Sequence, residues 1–277
     1  MVQIITDSST LYRPEEAKKL GFEVVPLCVN VGEFEGRDLL IDMDDYYDRI
    51  KKGGIPKSSQ PPIGEVYEIY EKYQNSEIIN IAMADGLSGT YQSACGAKEM
   101  LEDSSNVTVI NSKTLCGPHR YMVEKAQQMQ SQGKSAKEII EWVEYIKDRT
   151  ESFLIPQDFD FLRRGGRLTP VAAALGSVLK LKPVMTLTED CKRLDKFAVK
   201  RTMKSAVDAV ISHLKTKNLD SRHILYISHA NALEDAKKIM AQMKDVFKEL
   251  EIQILELSPV FVAQGGPQCV AIQYIEK

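Results

Sequence analysis

Residues 85–94 read DGLSGTYQSA, and this stretch decides the expected fold around the site. Residues 78–84 before it read IINIAMA, which is typical of a buried strand, and the composition after it favours a helix ending near Leu101. The stretch is therefore a predicted strand-to-helix turn with Ser88 at the N-cap position. A hydroxyl, unpaired amides and the positive end of a helix dipole favour an anion there, and Gly89 leaves the backbone open to a close ligand. From spacing alone, the alternative that Ser88 only caps its helix is equally well supported.

The composition is that of a soluble globular protein, with 43 % hydrophobic and 27 % charged residues in a chain of 277. This length allows one large domain or two ordinary ones. The net charge of -3 argues against general nucleic-acid binding, which needs a surplus of Lys and Arg. No apolar run approaches the roughly 20 residues of a membrane span, so no integral membrane segment is expected.

Cysteine and histidine usage gives little support for metal chemistry. The five cysteines are scattered without a Cys-x-x-Cys pair, so neither a disulfide framework nor a zinc site is expected. Of the 4 histidines, only His223 and His229 lie close together in the sequence. The first residues lack the basic and apolar regions of a signal peptide, and with this cysteine usage they predict a cytoplasmic location.

Strands and helices alternate over residues 1–150, which predicts an N-terminal domain built on a mainly parallel α/β sheet. Ligands of such sheets lie at the carboxyl ends of the strands, where Asp7 and Ser88 are expected. Asp7 follows the first strand directly, and for this residue capping of the next turn is favoured over ligand binding.

A second hydroxyl-bearing segment reads KSSQPP at residues 57–62. Because Pro begins helices but does not continue them, a helix is expected to start near Pro61, with Ser58 and Ser59 just before it. This segment is interpreted either as a capped loop or as an anion site of the same kind as Ser88. Two such turns make one shared anion site more credible than either turn alone.

The pattern changes after about residue 150 and predicts a C-terminal α+β domain over residues 151–277. The expected elements include a helix over 170–179, a hairpin of 183–188 with 194–199, a strand over 252–260 and a turn over 262–268. The fold class is therefore α/β with two domains.

Residues 159–170, FDFLRRGGRLTP, are interpreted as a basic turn broken by glycines. Arginines around two glycines suit a phosphate or a carboxylate, which makes Arg164 and Arg167 candidate contacts for an anion or a partner. The alternative is a solvated turn between helices, and the sequence supports it equally.

Five motifs together resemble the DegV family, in the same order and across the whole chain. They are ITDSS at 5–9, SSQP at 58–61, GLSGTYQSA at 86–94, RGGR at 164–167 and SPV at 258–260. The resemblance implies a bacterial fatty-acid-binding protein with the acyl chain in a buried apolar tunnel between the two domains. It implies that Ser58 and Ser88, with Gly89 beside Ser88, hold the carboxylate of a long-chain fatty acid, and that no cofactor is needed.

The resemblance also implies a partner, because some members present the bound acid to a kinase that makes an acyl phosphate. The binding protein is then not the catalyst. Two positions depart from the family pattern: Ser58 stands for the usual Thr and keeps the hydroxyl, and Gln264 stands for the His that joins the carboxylate network. Gln donates a hydrogen bond but does not titrate, so service to a fatty acid kinase is left open. Arg201 resembles a family arginine near the opening, where phosphate or the kinase would be met.

The rival function is a serine hydrolase acting on an acyl substrate. Ser88 would be the nucleophile, His229 or His223 the base and Asp7 the orienting acid. The Gly-x-Ser-x-Gly elbow is not met, because residues 86–90 read GLSGT and lack the second Gly. A His ring within hydrogen-bond reach of Ser88 would favour catalysis. No phosphate-binding loop or dinucleotide fingerprint is present in the sequence, so nucleotide binding is not expected.

Overall fold

The structure, a computed structural model, describes residues 1–175 and 181–277. Their contacts divide the chain into two compact units, Met1–Asp148 and Arg149–Lys277. In the described residues, no helix has the length and apolar character needed to cross a membrane.

The first unit alternates strands and helices along most of its length. Its elements are β1 (Val2–Asp7), a 3-10 helix (Ser8–Thr10), α1 (Pro14–Leu20), β2 (Glu23–Val25), β3 (Cys28–Val31), β4 (Phe34–Arg37), α2 (Met43–Lys51), β5 (Pro56–Ser59), α3 (Ile63–Lys72), β6 (Glu77–Ala82), α4 (Thr90–Glu99), β7 (Val107–Asn111), α5 (Cys116–Ser131) and α6 (Ala136–Ile146).

The main sheet of this unit is parallel, in the order β2-β1-β6-β7, as the alternation predicts. Successive strand residues point to opposite faces, so neighbouring isoleucines enter different cores. Ile4 and Ile79 pack with α5 and α6, whereas Ile5 and Ile78 pack with α3 and α4. Helices therefore cover both faces, which places ligand-accessible positions at the strand ends.

A small antiparallel sheet, in the order β4-β3-β5, corrects the prediction for Ser58 and Ser59. These residues lie in strand β5, where Ser58 is opposite Val29, and not in a capped loop. Lys and Ser have weak strand propensity, so the pairing with β3 supplies what the local sequence lacks. Helix α3 begins at Ile63, close to the predicted start.

The second unit contains one mixed sheet, in the order β10-β9-β8-β13-β11-β12. Its elements are β8 (Thr150–Ile155), α7 (Phe159–Gly165), α8 (Pro170–Ala173), β9 (Lys182–Leu187), β10 (Leu194–Lys200), α9 (Met203–Lys215), β11 (His223–His229), α10 (Leu233–Val246), β12 (Glu251–Glu256), α11 (Pro259–Gly265) and β13 (Val270–Glu276). The antiparallel β9–β10 hairpin is confirmed. Together, the parallel first sheet and the mixed second sheet confirm the predicted fold class.

Three local predictions for this unit need correction. The arginine segment is mostly helical, because Asp158 caps α7 and Gly166 ends it in the left-handed conformation. Residues 259–265 form α11 instead of a strand end and a turn, with Pro259 in the first turn of the helix. Of the helix expected over 170–179, Pro170–Ala173 forms α8, and residues 176–180 lie outside the described part of the chain.

Candidate functional site

Ser88 lies in the turn between β6 and α4 and contacts the first amide of the helix. The N-cap is Gly89, one residue later than predicted. The Ser88 Oγ nevertheless accepts a hydrogen bond from the Thr90 N–H at 3.3 Å, and it lies 2.8 Å from the Thr90 Oγ1. Ser88 is half-buried, whereas Thr90 is buried. The hydroxyl is therefore held at a helix start while one side stays open.

Gln60 joins the two hydroxyl-bearing segments of the first unit. A Cβ placed on Gly89 would lie only 3.0 Å from the Gln60 Oε1, so the glutamine amide rests against the bare backbone of this glycine. The Ser93 hydroxyl also donates to the Pro61 carbonyl at 2.8 Å. Residues 58–61 and 86–94 are thus neighbours in space, although the 24 residues 62–85 lie between them in the sequence.

Ser58 lines a cleft of about 640 Å³ over the small sheet. Lys57 and Ser59 from the same strand line it too, together with Arg37 from β4. Arg37 forms an ion pair with Glu65, whereas the Lys57 side chain is exposed. The volume is within the range of small-molecule sites, and the wall combines hydroxyls and basic groups with the acidic Glu35.

Asp7 caps the 3-10 helix, as the favoured interpretation states. It is buried, its Oδ1 accepts from the Ser9 N–H at 2.9 Å, and its Oδ2 accepts from the Met83 N–H at 2.9 Å. The second bond joins the carboxyl end of β1 to the residue just beyond β6. The carboxylate thereby orders the strand ends next to the Ser88 turn.

His119, in α5, is a buried polar residue that no local sequence pattern singles out. Its Nδ1 lies 2.7 Å from the Ser9 Oγ, and its Nε2 lies 3.0 Å from the Ile81 carbonyl oxygen. Since a carbonyl only accepts, Nε2 carries the proton and Nδ1 accepts from Ser9. Burial lowers the pKa of His119, and the nearby Asp7 carboxylate opposes this shift. The imidazole therefore stays neutral at physiological pH.

Asp38, which no local sequence pattern singles out, links the small sheet to the end of β1 through Ser8. The Ser8 Oγ donates to the Asp38 Oδ2 at 2.6 Å and accepts from the Leu27 N–H at 3.1 Å, and both Ser8 and Asp38 are fully buried. Asp38 directly follows β4, so this contact fixes the small sheet that carries Ser58 to the end of β1. The Asp-Ser-Ser motif therefore joins the end of β1 to neighbouring elements of the first unit.

In the second unit, the Gln264 side chain lies against Gly165 of the arginine segment. A Cβ on Gly165 would lie 2.1 Å from the Gln264 Oε1, so any larger residue at position 165 would displace the amide. Gly166 has φ of +71° and open space around it, so it is required for the backbone turn and not for packing. The two glycines therefore have different roles, and one of them is to accommodate the Gln264 amide.

The three candidate arginines do not form one cluster. Arg164 is exposed and its guanidinium lies 4.8 Å from the centre of the Phe161 ring, while Arg167 is half-buried and donates to the Gly165 carbonyl. Burial lowers the pKa of Arg167, although an arginine stays charged in any such case. Arg201 is exposed after β10, roughly 20 Å along that strand from Leu194, which bridges to Leu168 beside Arg167.

The local bonds of the candidate catalytic groups do not resemble a hydrolase triad. In the described part of the chain, the side-chain hydrogen bonds of Ser88 go to Thr90. The His229 Nδ1 accepts from the Ala232 N–H at 3.3 Å, and the His223 Nδ1 lies 3.1 Å from the Asp220 Oδ1. Each ring is therefore engaged with its own turn.

Metal-ligating side chains do not gather in either unit. Among residues 1–175 and 181–277, no group of three or more His, Cys, Asp or Glu side chains is placed to hold a metal ion. None of the five cysteines, all of which lie in the described residues, forms a disulfide. Burial raises the pKa of the Cys269 thiol to about 12.

Comparisons with known proteins give a consistent result over the full length. A family model described as "Uncharacterised protein, DegV family" matches residues 1–277. A DegV domain-containing protein of Halalkalibacterium halodurans is 30% identical and covers 100% of this chain and 99% of its own. The crystal structure of DegV from Bacillus subtilis, described as a fatty acid binding protein, is 29% identical with a TM-score of 0.85, and covers 100% of this chain and 99% of its own. A DegV family protein from Thermus thermophilus shares the fold, with a TM-score of 0.89 at 24% identity, and covers 100% of this chain and 99% of its own.

Proposed function

This chain belongs to the DegV family, and from that premise we propose that it binds a long-chain fatty acid as a carrier. The ligand class comes from the Bacillus subtilis relative, which is described as a fatty acid binding protein. The observation in this chain that carries the proposal is the contact of Gln60 with Gly89, because it brings the Ser58 segment to the Ser88 turn.

The carboxylate of the fatty acid is held by the hydroxyls of Ser58 and Ser88. Gly89 gives the ligand access to the backbone at the helix start, and Gln264 adds an amide donor. Charge-assisted hydrogen bonds offset the cost of removing the carboxylate from water, which is large for an unpaired charge. The positive end of the α4 dipole contributes in the same direction.

The acyl tail lies in an apolar tunnel, and its position between two domains, 1–150 and 151–277, stays a prediction from the resemblance. Burial of the tail contributes about 0.8 kcal/mol per methylene, so a long chain supplies most of the affinity. The head-group contacts then determine orientation and selectivity. A cytoplasmic location belongs to the same proposal.

The carrier presents its ligand to a partner, a fatty acid kinase subunit, and does not itself catalyse a reaction. Arg164, Arg167 and Arg201 are the proposed contacts for the phosphate or for the partner. Arg201 is separated from Arg167 along β10, so these arginines contact the phosphate or the partner at more than one point. The Gln264 amide does not titrate and cannot act as a general acid or base, so the kinase supplies any such group.

The test combines lipid analysis with affinity measurements. Mass spectrometry of an organic extract of the purified protein should recover long-chain fatty acids. In titrations of the delipidated protein, Ser58→Ala and Ser88→Ala should each weaken the affinity by about tenfold to a hundredfold, the equivalent of one hydrogen bond to a charged group. Ser131→Ala is the matched control, because this serine is exposed and its hydroxyl donates to the Gln128 carbonyl within α5.

Two results would contradict the proposal. One is the absence of acyl species in the extract together with no binding of added fatty acid. The other is wild-type affinity in both serine variants, which would return Ser88 to a capping role. Incubation with a chromogenic acyl ester tests the hydrolase alternative, and turnover abolished by Ser88→Ala would favour it.

A further inference from the structure

The Ser88 hydroxyl oxygen is approached by two groups of one neighbouring residue, Thr90. Both the N–H and the side chain of Thr90 approach the same oxygen, at 3.3 Å and 2.8 Å. A serine oxygen has two lone pairs and one proton. If Thr90 donates twice, both lone pairs are used, and the Ser88 proton is left to point toward a ligand.

The burial of Thr90 determines which hydroxyl donates. Thr90 is 5% exposed, and in the described residues its hydroxyl has Ser88 as its side-chain partner. If Ser88 donated to Thr90, the Thr90 proton would remain buried without an acceptor, which is the costly arrangement. If Thr90 donates to Ser88, the Thr90 proton has an acceptor. The Ser88 proton can then reach a ligand, because Ser88 is half-buried and opens to the site.

We propose that Thr90 is a positioning residue that makes the Ser88 hydroxyl an obligate donor, and so tunes the site for an ionised carboxylate over an uncharged head group. This inference rests on the proposed function. An oxygen that accepts two hydrogen bonds is a better donor, because successive hydrogen bonds polarise one another. It also has no lone pair left to accept a hydrogen bond from the hydroxyl of an uncharged head group such as an alcohol.

The experiment compares two ligands on three proteins. The ligands are a sixteen-carbon saturated fatty acid and the alcohol of the same length, and the proteins are wild type, Thr90→Val and Thr90→Ser. Valine keeps the shape and removes the hydroxyl, whereas serine keeps the hydroxyl. Thr90→Val should raise the Kd for the acid by about tenfold and change the Kd for the alcohol by less than about twofold, while Thr90→Ser should stay near wild type for both.

A second measurement separates positioning from packing. Because Thr90 acts through Ser88, Thr90→Val should have no further effect on affinity in a Ser88→Ala background. Thermal unfolding establishes that each variant is folded, and Thr90→Ala replaces Thr90→Val if the valine variant is not.

The inference is overturned if wild type binds the acid and Thr90→Val binds it equally well. It is also overturned if both ligands are weakened to the same extent, since that indicates a packing effect. If the wild type binds no fatty acid, the proposed function itself fails, and this outcome is distinct from the other two.

Discussion

Gly165→Ala offers a sharp test of the role of Gln264. The new Cβ would lie 2.1 Å from the Gln264 Oε1 and 3.2 Å from its Cδ, so the amide has to move by more than an ångström. The amide is the far end of a flexible side chain and can rotate away. The substitution therefore displaces the amide that we propose as a head-group donor, while residue 264 itself stays glutamine.

The expected change in affinity follows from the loss of one amide hydrogen bond, while the rest of the fold is kept. An amide hydrogen bond to a carboxylate contributes about 1.5 kcal/mol at the lower end for charged groups, so fatty-acid affinity should fall about tenfold. Global stability should change little. Replacing Gly by Ala reduces unfolded-chain entropy by about 0.4–1 kcal/mol, which offsets the repacking of one side chain.

Gly166→Ala is the matched control. This glycine has φ of +71° with nothing near its Cβ position, so alanine there strains the backbone by about 1 kcal/mol and leaves Gln264 in place. Gly165→Ala should therefore lower affinity with an almost unchanged Tm, and Gly166→Ala should lower Tm with unchanged affinity.

Titration calorimetry and thermal unfolding measure the two quantities. A cycle with Gln264→Ala completes the test, because the double variant should bind no more weakly than Gln264→Ala alone. Wild-type affinity in Gly165→Ala, or fully additive losses in the double variant, would refute the assignment of Gln264 to the head group.

Two further predictions concern groups away from the ligand. His119 has a lowered pKa, so below about pH 6.5 the unfolded chain takes up a proton that the folded chain refuses, and the free energy of unfolding should fall as the pH drops from 6.5 toward the folded pKa. Urea titrations at several pH values should show a shallower decline for His119→Gln, and an identical decline would contradict the buried neutral ring. Cys269 is buried with a pKa of about 12, so alkylation at pH 8 followed by peptide mapping should label the half-buried Cys191 and spare Cys269 until the chain is denatured; rapid labelling of Cys269 would contradict its burial.

Much of the fold could be predicted from local pattern alone. The buried strand expected over 78–84 and the helix expected to end near Leu101 correspond to β6 and α4, because the apolar run and the helix-forming composition after it mark both elements. The parallel sheet followed from the regular alternation of strands and helices. In both cases the information lies within a few residues of the element that it describes.

The errors occurred where tertiary pairing outweighs local preference. Strand β5 contains Lys57 and two serines, and it exists because β3 offers it a partner. Helix α11 follows a strand with only Ser258 and Pro259 as signals, and the apolar residues after them fit a strand as well as a buried helix. Strand β8 was not predicted, although it pairs with β13 in the sheet.

The candidate site also contains contacts that local sequence cannot predict. Ser88 was singled out because its sequence neighbours suggested an anion site. Thr90 and Gln60 lie inside the GLSGTYQSA and SSQP motifs, but their contacts depend on side-chain directions that spacing does not reveal. His119 and Asp38 carried no local signal, since the partners Ser9 and Ser8 lie far away along the chain.

The glycines of two motifs make the same kind of contact, which local sequence does not predict. In each unit a glutamine amide from one motif rests on the bare backbone of a glycine from another, Gln60 on Gly89 and Gln264 on Gly165. The two contacts differ in tolerance. At 3.0 Å, alanine in place of Gly89 requires a shift of a few tenths of an ångström in an exposed side chain, whereas at 2.1 Å alanine in place of Gly165 expels the amide. Position 165 is therefore the more constrained of the two, and because the constraint comes from Gln264, a different residue at 264 would change which residues position 165 accepts.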